Sequence, residues 1–196
     1  MSNQKKVLIF TYYWPPSGGS GVQRWMYFSK YLKNLGWVPI VITVDKKKAS
    51  YSVLDESLNQ EIGGIRVIRT STREPLKWYS ILTTGSKKKG IPQGEVKRKS
   101  VFGKISAFIR GNFFIPDARI GWVPFALKAA REIIAKEQIK IIITTGPPHS
   151  SHLVGLQLQK DFKVKWFADF RDPWSDVFYN KDLFRRSRAV SKDLKL

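Results

Sequence analysis

The chain has 196 residues, of which 42% are hydrophobic, no cysteine, and a formal net charge of +20. Its length and apolar content suit one folded domain with a core of its own and exclude a disordered chain. Without cysteine there are no disulfides and no thiolate metal sites, and no apolar run approaches the roughly 20 residues of a membrane-spanning helix.

Residues 6–12 form an apolar run, predicted as a buried strand. The run leads into TYYWPPSGGSGVQRW, residues 11–25, where two prolines and three glycines stand among aromatic residues. A helix is predicted over 21–35, because Val22, Trp25, Met26, Ser29, Leu32 and Leu35 recur at three- and four-residue steps. Gly36 supplies the stop. The run WVPIVITV over 37–44 is a second strand, closed by Asp45, and completes a βαβ unit.

Residues 45–64 are a polar connection with a weak helical signal over 52–62, and 65–70 is a third strand. A basic insertion follows over 71–110; from Arg73 to Arg110, ten Lys and Arg stand against two acids. Inside it, 102–113 has helical spacing, with Gly111 as the expected end. PDARIG at 116–121 is a turn. A strong helix over 123–137 has Phe125, Leu127, Ala130, Ile133 and Ile134 as its apolar set. The chain closes with a strand at 140–145, a GPPH loop, a helix at 150–162 capped by Ser150 and Ser151, and a strand at 165–170. Alternating strands and helices predict an α/β fold, a Rossmann-like three-layer α/β/α arrangement around a mostly parallel sheet.

Ligands of such sheets gather at the carboxyl ends of the strands. Three loops are expected there. In the first, Gly18, Gly19 and Gly21 let backbone N–H groups approach a phosphate at a helix N-terminus. The competing reading is a tight turn stiffened by Pro15 and Pro16. A dinucleotide fingerprint is disfavoured, since Arg24 stands where its third glycine or alanine belongs, although Asp45 suits a ribose-binding acid. The loop also lacks the GK[ST] of a Walker-type phosphate loop.

The second loop carries His149 and His152, the only histidines, placed for phosphate donation or proton transfer. No HExxH or carboxylate-flanked pattern accompanies them, so no metal is expected. The third is the RDPW segment. Asp169 and Asp172 are candidates to bind sugar hydroxyls or take a proton, Arg171 to hold phosphate, and Trp174 to line the cleft; a local salt bridge is the alternative. The basic insertion, with Trp78, Tyr79, Ile81 and Leu82 beside its lysines, suits an anionic membrane surface, and a solvated loop is the alternative. No RNA- or DNA-binding motif supports nucleic acid as the partner.

Four segments in order resemble a known family: residues 6–43 with YYWPPSGGSG, residues 109–130 with PDARIGW, residues 143–159 with TTGPPHSSH, and residues 166–174 with ADFRDPW. Together they resemble the N-terminal half of bacterial family 4 glycosyltransferases, Bacteroidetes-type enzymes of polysaccharide biosynthesis being the nearest match. The resemblance implies one half of a GT-B fold, two Rossmann-like domains facing a cleft. It implies an acceptor-binding domain over 1–183, with 184–196 as the start of the inter-domain connection and the C-terminal donor domain absent. The whole enzyme would transfer a sugar from a nucleotide-sugar donor, without metal, to a saccharide or polyprenyl-diphosphate-linked acceptor. Gly18, Gly19 and Gly21 would face the donor phosphates. His149 would be catalytic with Asp169 and Asp172, and Arg24, His152, Arg171 and Trp174 would line the acceptor cleft. The implied setting is cytoplasmic, at the inner face of the membrane. This chain alone is expected to transfer no sugar. Two other readings stand beside this one: a non-catalytic Rossmann-like module for a phosphorylated ligand, and an NAD(P)-dependent oxidoreductase.

Overall fold

The structure is a computed structural model that describes residues 5–51, 53–74, 101–175 and 177–196. Most of the basic insertion, 75–100, lies outside the described residues, including the aromatic and lysine cluster read from the sequence as a membrane contact.

Five strands form one all-parallel sheet: β1 (Lys5–Phe10), β2 (Trp37–Val44), β3 (Arg66–Thr70), β4 (Ile141–Gly146) and β5 (Lys165–Phe170). Their order is β3-β2-β1-β4-β5, with Leu8 of β1 level with Ile40 on one side and Ile142 on the other. The chain builds outward from β1 through β2 to β3, then returns across the sheet to β4. The order therefore reverses between β1 and β4, where a ligand crevice is expected at the carboxyl ends.

Both faces are covered at the centre of the sheet, which is why β1 and β2 are nearly unbroken apolar runs rather than alternating ones. Val7 and Ile9 pack with Val22, Trp25 and Met26 of α1 (Ser20–Asn34) and with Leu58 of the short α2 (Leu58–Glu61). Leu8 and Phe10 point the other way, into Trp122, into Ala126, Ala130 and Ile134 of α4 (Val123–Glu137), and into Val154 and Leu158 of α5 (Ser150–Phe162). The predicted face of α4 is right in its spacing but misses Ala126, while Phe125 is only half-buried. Small residues at 126 and 130 let α4 lie close to the sheet.

α3 (Val101–Phe113) runs two residues beyond Gly111, its expected end. Gly111 serves packing instead: a Cβ there would stand 2.5 Å from the Leu183 carbonyl oxygen. The strand of chain it admits is a 3₁₀ turn, Phe178–Leu183, followed by α6 (Ser187–Asp193) within the stretch read as a connection. Asp193 of α6 is buried and accepts from Arg185 at 2.7 Å and from the Trp174 indole at 3.0 Å. The C-terminal segment is thereby tied to the loop after β5. On the α1 side, β5 is less covered than β1, and Phe167 is 46% exposed.

Candidate functional site

Three loops meet at the carboxyl end of the sheet. The loop after β1 is pinned rather than open. Ser17 N–H donates to the Trp14 carbonyl, Gly18 N–H to the Val53 carbonyl, and Asp55 N–H to the Pro16 carbonyl. A Cβ on Gly18 would stand 2.8 Å from Val53 Cγ1, and one on Gly21 would stand 2.0 Å from Arg171 Nη1. The Arg171 guanidinium lies across the space that Gly21 leaves open. Gly19, at φ 106°, is the glycine of this loop with open space on its side-chain face.

Arg171 joins the loops. Its Nε donates to the Gly146 carbonyl at 3.0 Å and its Nη2 to the Pro147 carbonyl at 2.7 Å. Burial pulls its pKa down, with the carboxylates of Asp169 and Asp172 opposing. The guanidinium that the sequence suggested for phosphate is thus occupied with backbone oxygens on two of its nitrogens.

Asp169 is occupied too. It accepts from Arg24 Nη2 at 2.7 Å, Trp25 Nε1 at 2.7 Å and Thr145 Oγ1 at 2.9 Å. That geometry fixes α1 against β4 and β5, and for Asp169 it is the salt bridge that stood as the alternative reading. Arg24 and Asp169 face a groove of about 640 Å³ between α1 and β5, away from His149. Asp172 is exposed beside Arg171.

The histidines belong to a ring stack. His152 lies 4.1 Å from Phe170 and His149 lies 5.3 Å from Trp174, centroid to centroid. His149 Nε2 is 3.0 Å from the Pro173 carbonyl, an acceptor, so that nitrogen carries the proton. His152 Nδ1 pairs with Thr144 Oγ1, which also accepts from the Trp166 indole. Burial, and secondarily the neighbouring His149, push the His152 pKa down to about 4, against the pull of Asp169. A neutral imidazole 2% exposed gives no charge to a phosphate, so His152 is a core residue rather than a cleft contact. Gly146 through His149, with cis peptides before Pro147 and Pro148, place His149 at the start of α5.

The N-terminus of α5 is already filled. Asp117, from the PDARIG turn, accepts from Ser150 N–H and Ser150 Oγ, each at 2.8 Å. His149 is the N-cap residue and Ser150 the first helical one, so the expected serine caps are replaced by a carboxylate from a distant loop. Behind it, Arg119 donates to Glu74 at 2.9 Å and to the Ser50 carbonyl, while the Tyr12 hydroxyl also bonds Glu74. This buried ion pair satisfies charges that would otherwise be costly to bury.

Between these groups lies a narrow cleft of about 50 Å³, lined among others by Tyr13, Arg110, Asp117, His149, Trp174 and Arg185. The structure thus brings His149 and Trp174 to one cavity, sets Arg171 beneath the loops, and sends Arg24 and Asp169 to the opposite face. Asp117, Arg119 and Tyr13 were not picked out as site residues from the sequence. Their signal was weak: PDARIG reads as a turn, and its partners are 33 and 45 residues away. Among the described residues, no group of three or more His, Asp and Glu side chains stands ready to hold a metal. Comparison with protein-family models, with curated proteins and with solved structures returned no match for this chain.

Proposed function

We propose that this domain is the acceptor-binding half of a glycosyltransferase that moves a sugar from a nucleotide-sugar donor to a saccharide acceptor, lipid-linked, in cell-surface polysaccharide synthesis at the inner face of the cytoplasmic membrane. The observation that carries the reading is the cleft at the β1/β4 crevice. It joins residues from all four resembling segments: Tyr13, Asp117, and the Pro147–His149 and Trp174 loops. Ligands of doubly wound sheets bind at this place, and the mixture of aromatic rings with carboxylate, guanidinium and imidazole groups suits hydroxyl-bearing ligands. A volume of about 50 Å³ admits one polar end of an acceptor rather than a whole sugar. His149, with Nε2 bonded to Pro173, would orient that end, and the backbone at Gly19 would face the donor phosphates. The chemistry needs no metal in this proposal.

A soluble short-prenyl diphosphate monosaccharide, titrated against the ¹⁵N-labelled chain, is expected to shift the amides of 146–149 and the Trp174 indole. Trp174→Ala is expected to weaken that binding about tenfold. NADPH and NADH are expected to leave these signals unmoved. Saturable dinucleotide binding, or no response to any prenyl-diphosphate saccharide, would overturn the reading.

A further inference from the structure

The outer face of α1 carries a pattern that packing does not explain. Its inner side buries Val22, Trp25 and Met26. Its outer side shows Tyr27, Phe28, Tyr31 and, just past the helix end, Leu35, which are 42%, 46%, 62% and 74% exposed. Positions 27, 31 and 35 recur every four residues and make one stripe of about two turns. α1 contains no Asp or Glu, and Arg24, Lys30 and Lys33 flank the stripe. Arg24 stands 5.5 Å over the Phe28 ring and Lys30 5.3 Å over the Tyr27 ring. The nearby acids are paired: Asp169 with Arg24 and Glu61 with Lys30. Across the groove, Lys165 stands 5.2 Å over the exposed Phe167, repeating the arrangement on β5.

A contiguous apolar patch of this kind marks an interaction surface. A second copy of the chain is a poor occupant, because it would bring another net charge of +20 against the same basic face. The stripe stands out from the helix and is ringed by cations, which matches the layer of anionic headgroups at a bilayer surface. There, aromatic rings enter the interface and lysines hold lipid phosphates.

We propose that the outer face of α1 docks the chain on an anionic bilayer surface. Tyr27, Phe28, Tyr31 and Leu35 enter the headgroup layer, and Lys33 and Lys165 meet its negative charge. The inference rests on the membrane partner of the reading above, and it is independent of glycosyl transfer.

The chain has no cysteine, so Tyr31→Cys accepts one environment-sensitive fluorophore at a single site. Lys136→Cys, exposed on α4 beyond the opposite face of the sheet, is the control. With vesicles of phosphatidylglycerol and phosphatidylcholine, the label at 31 is expected to shift to the blue and the label at 136 to stay unchanged. Vesicles of phosphatidylcholine alone are expected to give little shift. In sedimentation with the mixed vesicles, the Tyr27→Ser/Tyr31→Ser double variant is expected to partition about tenfold less. Lys33→Gln is expected to partition about fivefold less. Both variants should keep the parent's melting temperature, since these side chains are exposed.

Equal vesicle binding by the double variant, or matching shifts at both labels, would overturn the α1 surface and leave the membrane partner standing. No binding to anionic vesicles at low salt would overturn both. Equal binding to neutral vesicles would overturn the electrostatic part. A concentration-dependent shift at position 31 without vesicles would assign the face to a second copy instead. No arm reads sugar transfer, so failure here is distinct from failure of the glycosyltransferase reading.

Discussion

His152 illustrates how a residue chosen for chemistry can be held for structure. Its ring lies against Phe170, its Nδ1 is on Thr144, and it is 2% exposed. Burial is the main reason its pKa falls from 6.5 to about 4. The unfolded chain takes up a proton at this histidine near pH 6.5, while the folded chain does not until about pH 4. Stability from this group is therefore complete above 6.5 and is lost progressively as the pH falls towards 4. The difference amounts to about 3 kcal/mol across that window. Urea midpoints of the parent chain are expected to drop between pH 6.5 and 5, above the main carboxylate titrations. His152→Phe, which keeps the ring contact and removes the titration, should lose most of that drop. Parallel pH profiles for the two proteins would show that His152 protonates freely in the folded state. Asp169 makes the same point without titration, since three donors already occupy it.

At the scale of elements, regular periodicity made most of the fold legible. β2, α4, α5 and β5 fall on their predicted bounds, because each has a strong apolar pattern and a clear terminus. What the pattern did not give was the partner of each end. Gly111 looks like a stop because glycine weakens helices, yet Leu183 and Arg185 need the space it leaves. Ser150 looks like a cap because serine often is one, yet Asp117 reaches across 33 residues to fill that end. Long-range contacts of this sort have no local spacing to reveal them. The cap is testable. Asp117→Ala strips α5 of both bonds and is expected to cost about 1–2 kcal/mol. For a chain of this size that lowers the melting temperature by about 2–8 °C. Asp117→Asn, which keeps one acceptor oxygen, should fall between. An unchanged melting temperature in Asp117→Ala would mean that water serves the α5 terminus as well as the carboxylate does.

For the whole molecule, charge is the property that composition gave directly and that the fold organises. The acids are few, and several of the described ones are drawn into pairs: Glu137 with Lys6 and Arg66, Asp161 with Arg131, Glu61 with Lys30, and Glu74 with Arg119. With 35 Lys and Arg against 15 Asp and Glu, most cations have no acid left to meet. They repel one another more strongly in the compact state than in the open chain. The surface pairs oppose this only weakly, since exposed ion pairs contribute about 0–1 kcal/mol each. Salt screens both effects, but it screens the long-range repulsion among many cations over distances where a pair at 3 Å is little changed. Raising sodium chloride from about 20 to 200 mM, which shortens the screening length from roughly 20 to 7 Å, is therefore expected to raise the melting temperature by several degrees. The same change should weaken vesicle binding, because headgroup attraction is screened along with self-repulsion. Opposite responses to one variable separate the two roles of the charge. If the melting temperature instead fell with salt, the ion pairs would outweigh the repulsion, and the excess positive charge would not be the destabilising load that its size implies.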